Sequence, residues 1–264
     1  MGGIMLTIFT TCKTFEGTIG IHQRNALKSW RKIFPDADII IFGDENGTES
    51  IAKKIGAQRV TGLKRGAYGT PYINEIFYRA QQMTSFARMC YINSDIVLTS
   101  SFKKMIGITS NCLGKNKWNN FLTIGQRWDV HFDKEINFED INWEESIMSF
   151  AKKHGKIHWS SGIDYFFFLK GLFDEIPPFL IARMGWDNWL PWYALRRKEV
   201  PLIDGTKIAF IIHLEHSRKR PEEELQWNTS LHQNRLCYCF NANWLVEEDG
   251  CRELNKEEIK DRFR

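Results

Sequence analysis

The sequence predicts an α/β fold, with a mainly parallel central sheet covered by helices on both faces. Three observations carry this reading. Apolar runs of strand length alternate with segments of helical period. Those runs are continuously apolar rather than alternating, as strands buried on both faces are. Finally, 264 residues at 43% hydrophobic and 26% charged suffice for one large core.

In chain order, Ile4 to Phe9 reads as a buried strand, and Ala26, Leu27, Trp30, Ile33 and Phe34 form a helical face ended by Pro35. Ile39 to Phe42 is a second strand, closed by Gly43-Asp44. Ile73, Ile76, Phe77, Ala80, Met83 and Ala87 write another helix, which feeds a strand over Tyr91 to Asn93. Phe121 to Ile124 and Tyr165 to Leu169 read as strands. Trp186 to Arg197 fits a short aromatic helix, with Pro191 arguing that its first turn or two form a separate loop. Ile208 to Ile212 reads as the last core strand, delivering His213 and His216 at its end. Pro221 to Leu236 reads as a helix with a proline start and an acidic first turn, and a polar tail follows. No repeat or flexible linker divides the chain, so the expected organisation is one domain over residues 1–217 and a helical C-terminal extension over 218–264 packed on it.

Charge and targeting narrow the function classes. A net charge of +4, from 36 basic and 32 acidic residues, is too slight for a nucleic-acid binder and compatible with a small anionic substrate. The longest basic run, His216-Ser217-Arg218-Lys219-Arg220, reads as a solvated or phosphate-facing loop. No window reaches the roughly 18 uninterrupted apolar residues of a membrane span, so no integral membrane segment is expected. The apolar start is too short for a secretory signal. Six cysteines form no Cys-x-x-Cys pair and are too sparse for a disulfide scaffold, so they read as free thiols in a reducing, cytoplasmic compartment.

Asp95 is the most informative residue. It interrupts the strand-like run Cys90 to Leu98, and an isolated buried carboxylate is prohibitive unless paired, hydrogen-bonded or bound to a metal. Asn-Ser-Asp is also ordinary turn chemistry. Open α/β sheets bind ligands at the carboxyl ends of their strands, where Thr10, Thr11, Asp44, Glu45 and Asn93-Ser94-Asp95 all fall. Neither a Gly-x-Gly-x-x-Gly fingerprint after the first strand nor a Gly-Lys-Ser/Thr loop is present, which disfavours a nicotinamide dehydrogenase and a P-loop kinase.

Thr7 to Thr11, the Gln23 to Trp30 helix, Ile39 to Asp44, Gly69-Thr70-Pro71, Tyr91 to Leu98, Ser161 to Phe168, Gly185 to Leu190 and the His213/His216 pair resemble, in that order, a GT-A glycosyltransferase. More narrowly they resemble nucleotide-diphospho-sugar transferases with Tyr-Ile-Asn-x-Asp-Ile and Gly-Trp-Asp-Asn-Trp signatures, over roughly residues 4 to 217.

The resemblance implies a nucleoside-diphosphate sugar donor (UDP, dTDP or GDP), a carbohydrate or glycoconjugate acceptor, and Mn²⁺ or Mg²⁺ to neutralise the leaving diphosphate. It makes Asn93-Ser94-Asp95 a variant Asp-x-Asp motif whose Asp95 binds metal, with His216 or His213 completing the site; a nitrogen ligand favours Mn²⁺. It makes Asp187 the base of an inverting transferase, with Asp164 the rival carboxylate. Trp186, Asn188 and Trp189 are then the acceptor residues. Thr10, Thr11, Arg24, Asp44, Arg65, Asn93, Ser94 and Gly162 are the donor residues, and Gly69-Thr70-Pro71 opens a helix capped by Thr70. Two other classes stay open: a nucleotidyltransferase, which the loop Thr10 to Thr14 does not resemble, and a non-catalytic carbohydrate-binding module, for which the ten tryptophans speak.

Overall fold

A computed structural model describes residues 5–216 and 221–262. β1 (Thr7–Thr11) leads through α1 (Gly17–Ile33) to β2 (Asp38–Phe42), and α2 (Thr48–Ile55) leads to β3 (Gln58–Val60). α3 (Ile73–Met83) then precedes β4 (Arg88–Ile92), β5 (Ile96–Val97), α4 (Ser100–Asn116), β6 (Leu122–Ile124) and β7 (Trp128–Val130). Next come α5 (Trp143–His154), β8 (Lys156–Ile157), β9 (Tyr165–Leu169), α6 (Trp186–Arg196), β10 (Leu202–Asp204) and β11 (Ile212–Leu214). The chain closes with α7 (Glu222–His232), β12 (Trp244–Glu247), β13 (Gly250–Glu253) and α8 (Lys256–Asp261). Nine strands form the main sheet in the order β13-β12-β10-β6-β9-β4-β1-β2-β3, and β5-β11-β7-β8 form a smaller one.

Side-chain alternation explains why the main strands are apolar throughout. Ile8, Ile39, Ile41, Cys90, Ile92, Tyr165 and Phe167 point to one face, where α1 and α4 bury Leu27, Trp30, Phe102 and Met105. Phe9, Ile40, Phe42, Met89, Tyr91, Phe166 and Phe168 point to the other, under α3 and α6. Each such side chain, fully buried, contributes about 1.5–3 kcal/mol. Pairing is parallel for β3-β2-β1-β4 and for β6-β10-β12, as expected. β9 runs antiparallel between β4 and β6, so the sheet is mixed.

Several boundaries differ from the sequence expectation, each for a physical reason. α1 starts at Gly17, ahead of its apolar face, because its first turns bury the polar His22, Gln23 and Asn25. Asn25 earns that burial through bonds to the Lys134 carbonyl at 2.8 Å and the Ile136 amide at 2.9 Å. α6 runs unbroken through Pro191: the proline lacks only the amide that would have bonded the Asp187 carbonyl one turn back. Ile208 and Ala209 do not form a strand; their amides bond the Gly205 carbonyl at 3.0 and 2.8 Å in a turn. The strand begins at Ile212, so His213 lies inside it and His216 just beyond.

The C-terminal region is more than a helical extension. Its helix α7 is present, but β12 pairs parallel with β10 and β13 pairs antiparallel with β12, extending the main sheet. The expected boundary at 217/218, with Arg218 and Lys219, lies outside the described residues. Cys112 of α4 and Cys251 of β13 form a disulfide, so the expectation of six free thiols is corrected. Spacing along the chain cannot reveal a bridge that joins two distant elements through the tertiary fold. Cys12, Cys90, Cys237 and Cys239 are free. Arg262 also reaches back from beyond α8 to the buried Asp204 carboxylate on β10.

Candidate active site

The smaller sheet builds the site. Across it His213 pairs with Ile96 on one side and Asp129 on the other, and β7 pairs with β8 so that His158 follows opposite Arg127. Asp95 closes the turn after β4 and immediately precedes β5, and the Leu214 amide bonds its carbonyl at 3.1 Å. His213 Nε2 and His216 Nε2 therefore stand 3.6 and 3.1 Å from Asp95 Oδ2. The three ligand atoms lie within 4.8 Å of one another, and one oxygen with two imidazole nitrogens is a donor set suited to a divalent ion such as Mn²⁺. Both histidines are thus brought to Asp95.

A buried carboxylate orients this set. Asp129 accepts from His213 Nδ1 at 2.9 Å and from Arg127 Nε at 2.8 Å, and its other oxygen bonds His158 Nδ1. Burial opposes its charge, but those three donors hold the Asp129 carboxyl well below the usual range. For His213 burial favours the neutral ring; the Asp95 carboxylate and the bonds to Asp129 and Asp95 overcome it and raise the pKa to about 9. A cation held at Nε2 would displace that proton.

Arg127 bridges Asp129 to Asp164, which is also buried. The second Asp164 oxygen accepts from Asn93 Nδ2 at 2.5 Å, and Tyr91 donates to Asn93 Oδ1 at 3.0 Å. Both Asp164 oxygens are committed. Asp187, by contrast, sits in the first turn of α6 and accepts from the Asn188 amide at 3.0 Å. Burial, then repulsion from Asp164, pushes its pKa up to about 6.

Apart from Asp129 and His213, these groups line one cavity of about 950 Å³. Thr11, Arg65, Asn93, Ser94, Asp95, Gly162, Asp164, Trp186, Asp187, Asn188 and His216 all face it, and His213 lies behind Asp95. Other expected residues do not. Thr10 is fully buried, its hydroxyl bonded to the Thr11 carbonyl. Asp44 turns outward to the Gly62 amide at 3.3 Å; the next residue, Glu45, faces the cavity and holds Arg65 at 2.8 Å. Arg24 pairs with Glu135 at 2.7 Å outside the cavity. Trp189 is 5% exposed, stacked on Tyr193 at 4.9 Å, and belongs to the core. Trp186 does line the cavity, but it is 2% exposed and packs edge-on to Tyr91, so little of its ring is open to a ligand. Thr70 caps no helix: α3 begins at Ile73, and Thr70 accepts from Arg183 at 3.1 Å.

Sequence reading missed Arg127, Asp129, His158, Trp159 and Gln23, and it placed Glu45 at a strand end without giving it a role. Arg127 and Asp129 carried a signal, since two charges around a strand-like Trp128 to Val130 need partners. Gln23 braces the loop after β1, accepting from the Lys13 amide at 2.6 Å and from Ser94 Oγ at 3.2 Å. Gly162 abuts the His158 ring so closely that any β-carbon would overlap it.

No family model and no curated protein matches the sequence. Solved structures match the fold. S. aureus TarS residues 1–349 in complex with UDP-GlcNAc superposes with a TM-score of 0.53 at 11% identity, over 93% of this chain and 68% of that one. The same protein with UDP gives 0.52 at 11% identity, over 93% and 68%. The fold is GT-A. Glucosyl-3-phosphoglycerate synthase from Mycobacterium tuberculosis, in complex with Mn²⁺, UDP-glucose and phosphoglyceric acid, gives 0.49 at 14% identity, over 88% and 79%. In this GT-A chain the cavity opens at the carboxyl ends of β1 and β4, where open α/β sheets hold ligands.

Proposed function

We propose that this protein is a metal-dependent glycosyltransferase that moves a sugar from a nucleoside-diphosphate donor to a hydroxyl of a carbohydrate or glycoconjugate acceptor, with inversion. The observation that carries the reading is the convergence of Asp95, His213 and His216 at the wall of the cavity that also holds an acid, Asp187, whose pKa is pushed up to about 6.

Asn93-Ser94-Asp95 serves as the variant Asp-x-Asp motif. Asp95, His213 and His216 would hold Mn²⁺ or Mg²⁺, which supplies positive charge opposite the departing diphosphate. Asp187 takes the proton of the acceptor hydroxyl as that oxygen bonds the anomeric carbon and the bond from that carbon to the diphosphate breaks. Asp164, with both oxygens occupied by Arg127 and Asn93, positions rather than accepts. Thr11, Glu45 and Arg65 face the cavity where the nucleoside is expected, Glu45 taking the part foreseen for Asp44.

Calorimetry with UDP and MnCl₂, followed by a mass-spectrometric screen of uridine, thymidine and guanosine diphosphate sugars, tests the reading. Manganese-dependent binding of a nucleoside diphosphate, with donor hydrolysis or transfer, is expected. Preference for triphosphates would instead mark a nucleotidyltransferase, and indifference to nucleotide and metal a binding module.

A cytoplasmic location belongs to the same proposal, supported by four free cysteines among the described residues; the Cys112–Cys251 bridge pulls the other way. Thiol alkylation of protein isolated without reductant decides between them. No helix of the described residues is long and apolar enough to cross a membrane.

A further inference from the structure

The tryptophans expected to stack on sugar are in the core, yet the cavity has an aromatic wall of its own. Trp159 is 67% exposed and lines the cavity, unusual for the largest apolar side chain. Its ring lies 6.1 Å from Phe240, which lies 5.3 Å from Tyr238, another cavity residue. An exposed aromatic face backed by further rings is a rigid surface with low ordering cost on binding.

Hydrogen bonds fix this wall to the acid. Asn188, adjacent to Asp187, donates its side-chain amide to the Ser161 carbonyl at 3.2 Å and accepts at its own carbonyl from the Cys237 amide at 2.8 Å. The Cys239 amide bonds the Ser160 carbonyl at 3.0 Å, and the Gly162 amide closes the turn onto the Trp159 carbonyl at 2.9 Å. The start of α6, the Trp159 turn and the Tyr238 segment are therefore one unit. His158 completes it: Asp129 binds its Nδ1, which leaves Nε2 for other partners on a ring that lines the cavity.

Charge selects the occupant. Asp187 and Asp164 are acids, Arg127 is consumed by Asp129 and Asp164, and Arg183 is paired with Glu224. Burial lowers the His232 pKa and so disfavours a charged ring there. Among the described residues this end of the cavity offers an anionic group no uncompensated cation.

We propose that the His158-Trp159 turn and Tyr238 form the acceptor subsite, and that it takes a neutral pyranose whose apolar face stacks on Trp159 while His158 bonds a hydroxyl. The proposal rests on the glycosyltransferase reading and narrows its acceptor.

The test is saturation-transfer NMR on the full chain with UDP and MnCl₂, using methyl glucoside, galactoside and N-acetylglucosaminide as probes, with glycerol 3-phosphate as the anionic control. Wild type should transfer saturation to the ring protons of at least one glycoside and not to glycerol 3-phosphate. Trp159→Ala should weaken glycoside binding roughly fivefold to tenfold, and Trp159→Phe should regain most of it. UDP binding by calorimetry should be the same in all three, which also shows that the variants are folded. Glycoside binding that is absent, or unchanged in Trp159→Ala, while UDP still binds overturns the subsite alone; so does preferential binding of glycerol 3-phosphate. Glycoside binding without any response to UDP and Mn²⁺ overturns the transferase reading and the acceptor role with it.

Discussion

Asp129 and His213 stand side by side on the paired strands β7 and β11, and the carboxylate accepts a hydrogen bond from Nδ1 at 2.9 Å, turning Nε2 toward Asp95. Carboxylates that orient a metal-binding histidine in this way typically account for a difference in metal affinity on the order of 10- to 100-fold. Asp129→Asn should therefore lower Mn²⁺ affinity by about that factor, measured by titration with UDP saturating, while circular dichroism stays that of the parent. Unchanged affinity would remove Asp129 from the site.

Asp187→Asn should leave nucleotide binding intact and lower transfer by about 10² to 10⁴. Because a base works deprotonated, kcat/KM of the parent should rise with pH through about 6 and level above it. A flat profile over pH 5 to 7.5 would assign the base elsewhere.

The same substitution carries a stability signature. The folded-state pKa of Asp187 is raised from 3.8 to about 6, so its contribution is whole below pH 4 and is lost as pH rises through 6. An asparagine does not titrate. Asp187→Asn should thus gain on the parent between pH 4 and 6, by about 1–3 kcal/mol at pH 7, read as Tm against pH.

Trp189 and Trp159 should separate packing from binding. Trp189→Ala opens the core beneath Tyr193 and should cost about 3–5 kcal/mol in denaturant unfolding. Trp159→Ala, removing an exposed ring, should stay within about 0.5 kcal/mol of the parent.

The Cys112–Cys251 bridge closes a loop across a separation of 139 residues. Cys112→Ser should lose about 2–4 kcal/mol, seen as a lower Tm under oxidising conditions and no difference under reductant.

Much of the fold was legible because burial on both faces writes continuous apolar strands: β1, β2, β4 and β9 each fall on a run read from sequence alone. The edges were not. β7, β8, β12 and β13 are short and mostly polar or half-exposed, carry little apolar period, and are held by tertiary pairing. The site divides the same way. Asp95, Asp187 and the two histidines announced themselves as polar residues at strand or helix ends. Asp44 and Glu45 differ by one position in a turn, and only the backbone path decides which one faces inward. Trp159 and Trp189 are the same residue type with opposite exposure, a difference that no local pattern encodes.

β12 covers the outer edge of β10, and β13 in turn covers β12. A variant cut before Trp244 leaves that edge of β10 unpaired and the Asp204 carboxylate without Arg262. An uncovered edge is a template for other polypeptides. Such a truncation should therefore yield inclusion bodies rather than a shorter folded protein.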